Sequence, residues 1–397
     1  MAKEEKQAFD VDVAEYELAE IGIEVKYNKV SNIIDVIDHN NILNDSDNPL
    51  TALEDYLNAN YKEPYKFVSR DNVAGVIRLL ADRHNYHPVQ EMINPYIEKV
   101  GNYDAIKEIS DDILYIDKDD ELSRTYVRKF FRQVIAMSKN TSKTQPFGND
   151  GIMVLVGGGK QGNGKSLFVQ RMALGYFGEI TFQKNIDETD LYSLLNSVFV
   201  GEIPEIEHSL RPYNKEFFKK MITSPLDKYR AKYGRQYEQH NRTSSLIATC
   251  NTETFLLDRT GNRRFWCIKC DKSLNLERLA NMNDDIFLKA YAQAYKELEK
   301  YGMQSFRLTE REKELTEMRN INFMAVNPEL SQIIYSLLDL VDVSHFTIND
   351  LKEQSNELAG MSSMLIGKEL SKMPNIKAKR TRDERFYYLE GGKNNAG

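Results

Sequence analysis

The 397-residue sequence is poor in cysteine, with three thiols at Cys250, Cys267 and Cys270. So few exclude a disulfide scaffold and make a reducing cytoplasm the expected setting. No run approaches the roughly 18 uncharged apolar residues that a membrane span needs. The first residues, Met1–Gln7, are charged and lack the apolar stretch of a secretion signal. No internal repeat and no long low-complexity tract is visible. Nor is there an excess of basic charge: the net is −7, which excludes a generic cationic coat for nucleic acid. What remains is ordinary for a folded soluble chain, 41% hydrophobic and 28% charged, and long enough for two or three domains.

The charge is unevenly distributed. Residues 1–60 carry 14 acids against 4 bases, whereas 211–245 carry 9 bases against 3 acids and 368–393 carry 8 against 4. Local basic segments on an acidic chain suit a defined polyanion track, or else a solvated helix face. Hydrophobic spacing divides the chain into three regions. Residues 1–145 read as mainly helical, with Val73, Val76, Ile77 and Leu80 on one helical face and Tyr126, Phe130, Val134 and Met137 on another. The polar stretch Asn140–Asp150 is a boundary. In 146–325 the short apolar runs Ile152–Val156, Ser197–Val200 and Ser245–Thr249 alternate with helical patterns at Leu167–Tyr176, Ala290–Lys300 and Glu310–Arg319. Such alternation predicts an α/β fold with a parallel sheet covered on both faces. In 326–397 helical patterns precede two strand-like runs, Ile376–Arg380 and Arg385–Leu389, and Thr347 with Asp350 forms a helix-start signal. Helices closed by a basic hairpin predict a winged-helix domain.

Gly159-Lys160-Gln161-Gly162-Asn163-Gly164-Lys165-Ser166 satisfies G-x-x-x-x-G-K-[ST] between a predicted buried strand and a predicted helix. Glycines turn backbone N–H groups toward phosphate oxygens, and a helix start adds partial positive charge. Lys165 suits the β- and γ-phosphates, the Ser166 hydroxyl suits Mg²⁺, and Gly159, Gly162, Asn163, Gly164 and Leu167 complete an ATP cradle. Such a site needs a carboxylate at a strand end. Glu202 in Val200-Gly201-Glu202-Ile203-Pro204-Glu205 is the first choice, with Glu205 second. Asn251 ends the next strand, where its amide could meet the γ-phosphate or simply form a turn.

Arg263 and Arg264 precede an aromatic strand containing Trp266, the only tryptophan. They read as a charge-stabilising finger offered across a subunit boundary, with strand alternation leaving one to serve, or as cations packed on Trp266. Lys228, Arg230, Lys232, Tyr233 and Arg235 interleave bases with aromatics, a pattern for gripping a DNA backbone. Lys377, Lys379, Arg380 and Arg382 on the C-terminal hairpin are a second DNA-contacting set. Cys267 and Cys270 fall on opposite faces of one strand and read as packing residues rather than zinc ligands.

The succession GGGKQGNGKS, VGEIPE, SPLDKYRAKYGR, ATCNTETFL and DRTGNRRFW resembles the virulence-associated protein E family over roughly Gly151–Cys270. Its members are superfamily 3, AAA+-type helicases of phages and mobile islands. The His87-Pro88-Val89 stretch and the helices after it resemble the family's preceding region more weakly. The resemblance implies a hexameric ring with ATP and Mg²⁺ between subunits and a DNA strand through the centre. It implies Walker A roles for Gly164, Lys165 and Ser166, a Walker B role for Glu202, a sensor role for Asn251 and a finger in trans from Arg263 or Arg264. The basic hairpin then lies at the pore. GEIPE departs from the pattern of two adjacent acids, which leaves a supporting role for Glu205 open. The leading functional expectation is a replicative DNA helicase, with origin DNA and replication proteins as further partners. Two alternatives are an ATP-sensing DNA-binding regulator without unwinding, and a P-loop kinase or nucleotide switch. Residues 1–145 show no metal-binding acid triad, so no primase activity is expected.

Overall fold

The computed structural model describes residues 9–43, 47–60, 70–157, 162–182, 187–210, 215–229, 238–256, 261–324, 328–373, 375–381 and 385–390. Strands in chain order are β1 (Ile23–Asn28), β2 (Ile33–Asp38), β3 (Ile152–Gly157), β4 (Phe177–Glu179), β5 (Val200–Ile203), β6 (Leu226–Tyr229), β7 (Glu238–Asn241), β8 (Ser245–Cys250), β9 (Phe265–Cys270), β10 (Ile376–Arg380) and β11 (Arg385–Leu389). Five of them form a parallel sheet in the order β4-β5-β8-β3-β9.

β3 lies between β8 and β9 and is wholly buried. Its uninterrupted apolar run follows from being covered twice. Met153 and Leu155 enter one core, and Ile152, Val154 and Val156 enter the other. On the first face lie the helices Glu121–Ser138 and Ile286–Tyr301, joined by Pro88–Ile97. Glu121–Ser138 starts at the Asp120 cap, which accepts from the Ser123 N–H, and buries Tyr126, Phe130, Phe131 and Val134. Leu191, Leu195, Phe218 and Ile222 cover the other face. This core also takes in Val30 from the N-terminal part, and it holds residues from both sides of the Asn140–Asp150 stretch, Val134 and Ala136 before it and Met153 and Leu155 after it.

The expected strand at Ser197–Val200 is displaced to Val200–Ile203, because Asn196 still belongs to the preceding helix end, its amide donating to the Tyr192 carbonyl. The helix expected over Leu167–Tyr176 runs instead over Lys165–Met172. It stops where Leu174 and Gly175 take positive φ values of 49° and 91°.

The N-terminal part is not purely helical. β1 and β2 form an antiparallel hairpin whose Ile23 and Val25 pack with Leu53, Leu57, Val73 and Ile77. Alternating burial along Ile23–Val25 is the period-2 signal that the helical reading passed over. At the other end of the chain, Pro328–Leu337, Ile348–Glu353, Asn356–Ala359 and Ser363–Lys372 pack with the antiparallel β10–β11 hairpin around Phe346, Leu351, Ile366, Leu370 and Tyr387. Thr347 and Asp350 form a reciprocal capping box.

Candidate nucleotide site

The site forms at the carboxyl ends of β3, β5 and β8. Gly159 and the rest of 158–161 lie outside the described residues. Gly164 caps the helix Lys165–Met172 in the left-handed region, φ 89°, and a Cβ there would come 2.5 Å from Leu276 Cδ2. Both facts demand glycine. Gly157 is needed for a different reason. A Cβ on it would stand 2.7 Å from Lys165 Nζ, so the ammonium folds back over the end of β3.

Lys165 is buried and donates to Asn163 Oδ1 at 2.7 Å and to Asn251 Oδ1 at 3.1 Å. Among the described residues no carboxylate lies within ion-pair distance of it. A desolvated ammonium held only by amide oxygens is poised for an anion.

Glu202 has no exposed surface. Its Oε1 accepts from Ser166 Oγ and from Thr249 Oγ1, both at 2.7 Å. Its Oε2 is buried with no hydrogen-bond partner. Burial pushes the Glu202 carboxyl above the ordinary carboxylate range, opposed by the two hydroxyls, and Glu179 opposite it on β4 adds to the rise. A bare buried carboxylate oxygen beside a serine hydroxyl is a hard oxygen donor set, which fits Mg²⁺.

The remaining candidates spread further. Glu205 is exposed, takes φ 46° at the turn after β5 and lies 3.5 Å from His208. Gly162, Asn163, Leu167, Glu205, Thr249 and Asn251 help to line a cavity of about 780 Å³ in front of Lys165 and Ser166. Two residues escaped the sequence reading. Thr249 is one, although it stands two positions before Asn251 on the same strand face. Glu207 is the other: its Oε1 accepts from the Asn251 N–H at 3.2 Å. Only the fold reveals Glu207, since its helix turn lies 44 positions away from Asn251 in sequence.

Arg263 and Arg264 occupy a short 3₁₀ turn, Asn262–Arg264, before β9, so the expected strand alternation between them does not apply. Because β9 runs parallel to β3 with Ile152 opposite Phe265 and Gly157 opposite Cys270, both arginines sit at the amino edge of the sheet. That is about 17 Å of strand from their own Lys165. Trp266 stacks on Tyr126 at 6.0 Å. Cys267 and Cys270 are buried in opposite cores.

β6 and β7 pair as an antiparallel hairpin, with Lys228 exposed opposite Gln239. Arg230, Lys232, Tyr233 and Arg235, which follow β6 in sequence, lie outside the described residues, as does Arg382. The hairpin base is pinned by a fully buried pair. Arg242 Nη2 and Nε meet Asp227 Oδ1 and Oδ2 at 2.5 and 2.6 Å, and the Asn196 amide donates to Oδ2 at 2.8 Å. Lys377, Lys379 and Arg380 are exposed on β10, and Lys377 reaches Glu390 at 3.4 Å.

No curated protein matches the chain. Among solved structures it is similar to the apo structure of the NrS-1 C terminal region (305-718), at 12% identity and TM-score 0.42, covering 97% of this chain and 100% of that one. The A form apo structure of the same region gives 12% identity and TM-score 0.39, with 95% and 98% covered. The virulence-associated protein E-like domain matches residues 97–325. That span is more than half of the sequence and contains the whole site, and by it the chain belongs to the virulence-associated protein E-like family.

Proposed function

We propose that this protein is an ATP-hydrolysing, DNA-translocating ring, a superfamily 3 helicase of a phage or mobile genetic element, with an AAA+-type P-loop domain and a winged-helix C-terminal domain. One observation carries the proposal: Glu202 keeps a bare buried oxygen beside Ser166, next to an ammonium that has no carboxylate within ion-pair distance among the described residues. Lys165 draws the β- and γ-phosphates into the turn formed by Gly162, Asn163 and Gly164. Ser166 Oγ and Glu202 would hold Mg²⁺, which when bound neutralises charge on the phosphate oxygens. Glu202 orients the attacking water and takes its proton at the carboxylate. Asn251 fixes the γ-phosphate side, and Glu207 fixes the backbone of Asn251.

Arg263 and Arg264 lie too far along the sheet to serve their own site, which supports a finger reaching the site of an adjoining copy in a hexamer. Lys228, Arg230, Lys232, Tyr233 and Arg235 grip the strand in the pore. Lys377, Lys379, Arg380 and Arg382 contact duplex DNA at an origin.

Two measurements test this together: ATPase rate with and without single-stranded DNA, and mass in solution with ATP and Mg²⁺. DNA stimulation that Lys165→Ala abolishes, in an assembly several subunits heavy, is the expected result. Turnover indifferent to DNA in a monomer would point to a kinase or nucleotide switch. DNA binding without turnover would point to a regulator.

A further inference from the structure

A second cavity, of about 550 Å³, opens at the other end of the sheet from Lys165. Five separate segments build it: the β1–β2 turn with Lys29 and Asn32, His87 ahead of helix Pro88–Ile97, the end of helix Glu121–Ser138 and the chain after it with Thr141 and Lys143, Asn196, and the β6–β7 hairpin from Gln239 to its exit at Thr243. Thr243 stands two residues before the start of β8, and Asn251 follows its far end. A six-residue strand, about 20 Å long, separates this cavity from the nucleotide site.

No aspartate or glutamate lines the cavity, although the chain as a whole is acidic. Lys29 and Lys143 are exposed, and among the described residues neither has a carboxylate within ion-pair distance. Lys29 is one of only 4 bases among 14 acids in residues 1–60, yet it faces an acid-free wall. Three amide groups of the wall are already committed to the frame. Asn140 Nδ2 donates to the Phe147 and Arg242 carbonyls at 2.7 and 3.0 Å. Asn241 Nδ2 donates to the Asn140 and Ser142 carbonyls, both at 2.8 Å. Asn196 Nδ2 donates to the Tyr192 carbonyl and to Asp227, both at 2.8 Å. The donors left to a ligand include the Lys29 and Lys143 ammoniums, the Thr141 and Thr243 hydroxyls and the Gln239 amide, on a frame that includes the buried Asp227–Arg242 pair. Two unneutralised cations over hydroxyl donors recognise phosphate-type oxyanions. An opening against the hairpin base suits successive phosphates of a strand better than one small anion.

We propose that this cavity is a phosphodiester-binding site that holds a single nucleic-acid strand along the base of the β6–β7 hairpin, through Lys29 and Lys143. The site rests on the DNA-translocating reading and gives that reading a contact outside residues 228–235.

The test uses the full chain and a fluorescent oligothymidylate, with binding followed by anisotropy over a salt series. Lys29→Ala/Lys143→Ala is expected to weaken binding about tenfold at physiological salt and to flatten the slope of log affinity against log salt by about 1.4, the loss of two single-strand phosphate contacts. Lys29→Arg/Lys143→Arg should restore both. ATPase without DNA should stay at the wild-type rate, since the cavity lies a strand length from Lys165. Wild-type binding with an unchanged affinity and slope in the alanine variant overturns the cavity alone. Failure of the wild type to bind the oligonucleotide overturns the DNA reading and the cavity with it. A rise in melting temperature with inorganic phosphate that the alanine variant loses, with oligonucleotide affinity unchanged, would assign a small anion and overturn the strand.

Discussion

Two buried carboxylates, Glu202 on β5 and Asp227 on β6, stand in the same protein without exposed side-chain surface and are treated in opposite ways. Asp227 receives a two-pronged guanidinium from Arg242 and an amide from Asn196, so both of its oxygens are served. Glu202 receives two hydroxyls on one oxygen, and its other oxygen meets nothing. Burying a charge is costly unless it is paired and hydrogen-bonded. The chain meets that cost for Asp227 from its own residues, which makes Asp227 part of the frame. It leaves Glu202 incomplete, and under the proposed function Mg²⁺ would complete it.

Separating stability from activity at the two acids tests this contrast. The largest effect is expected at Arg242→Ala, which strands Asp227 in the core and should cost about 3–5 kcal/mol of unfolding free energy in denaturant titrations. A cost near zero would mean that Asp227 is not held as a frame element. Glu202→Gln should behave in the reverse way. Hydrolysis is expected to fall by about 100-fold or more, in line with the loss of a general base. Because burial raises the carboxyl above its unfolded value, Glu202 contributes stability that is present while it is protonated and lost as pH rises through that higher value. At neutral pH the glutamine therefore removes a burden, and the melting temperature should hold or rise. An equal loss of stability in both variants would erase the distinction between the two acids.

Much of the sheet and part of the site were legible from residue pattern alone. β3 and β8 announce themselves as apolar runs because both of their faces are covered, and β10 and β11 alternate around a polar turn as a hairpin must. Lys165, Ser166, Glu202 and Asn251 were picked out separately by chemistry, and the fold joins them in two hydrogen-bonded pairs, Lys165 with Asn251 and Ser166 with Glu202. What failed were residues whose roles depend on distant partners. Arg242 belongs to a basic run that reads as solvated or DNA-facing, yet it is wholly buried on Asp227. Thr249 had only its i, i+2 spacing to Asn251 to mark it and Glu207 had none, because what they hold, Glu202 and the Asn251 backbone, lies 47 and 44 positions away. The β1–β2 hairpin was lost among helical patterns because its six-residue strands are too short to outweigh them.

The subtlest expected effect sharpens the comparison at Thr249. Valine keeps its shape and removes the hydroxyl, so Glu202 would retain only the Ser166 donor on Oε1. That hydroxyl lowers the carboxyl against the upward push of burial, and without it the Glu202 carboxyl moves further up. A smaller fraction of Glu202 is then ionised at neutral pH. The acid limb of the ATPase profile should shift to higher pH in Thr249→Val. On the acid limb the rate should fall about fivefold, roughly 1 kcal/mol for one hydrogen bond, and recover toward wild type on the alkaline side. A profile that drops uniformly at every pH would mean that the acid limb reports some group other than Glu202. The open oxygen would then mark an imperfectly packed strand end, and Glu202 would rank with Asp227 as structure.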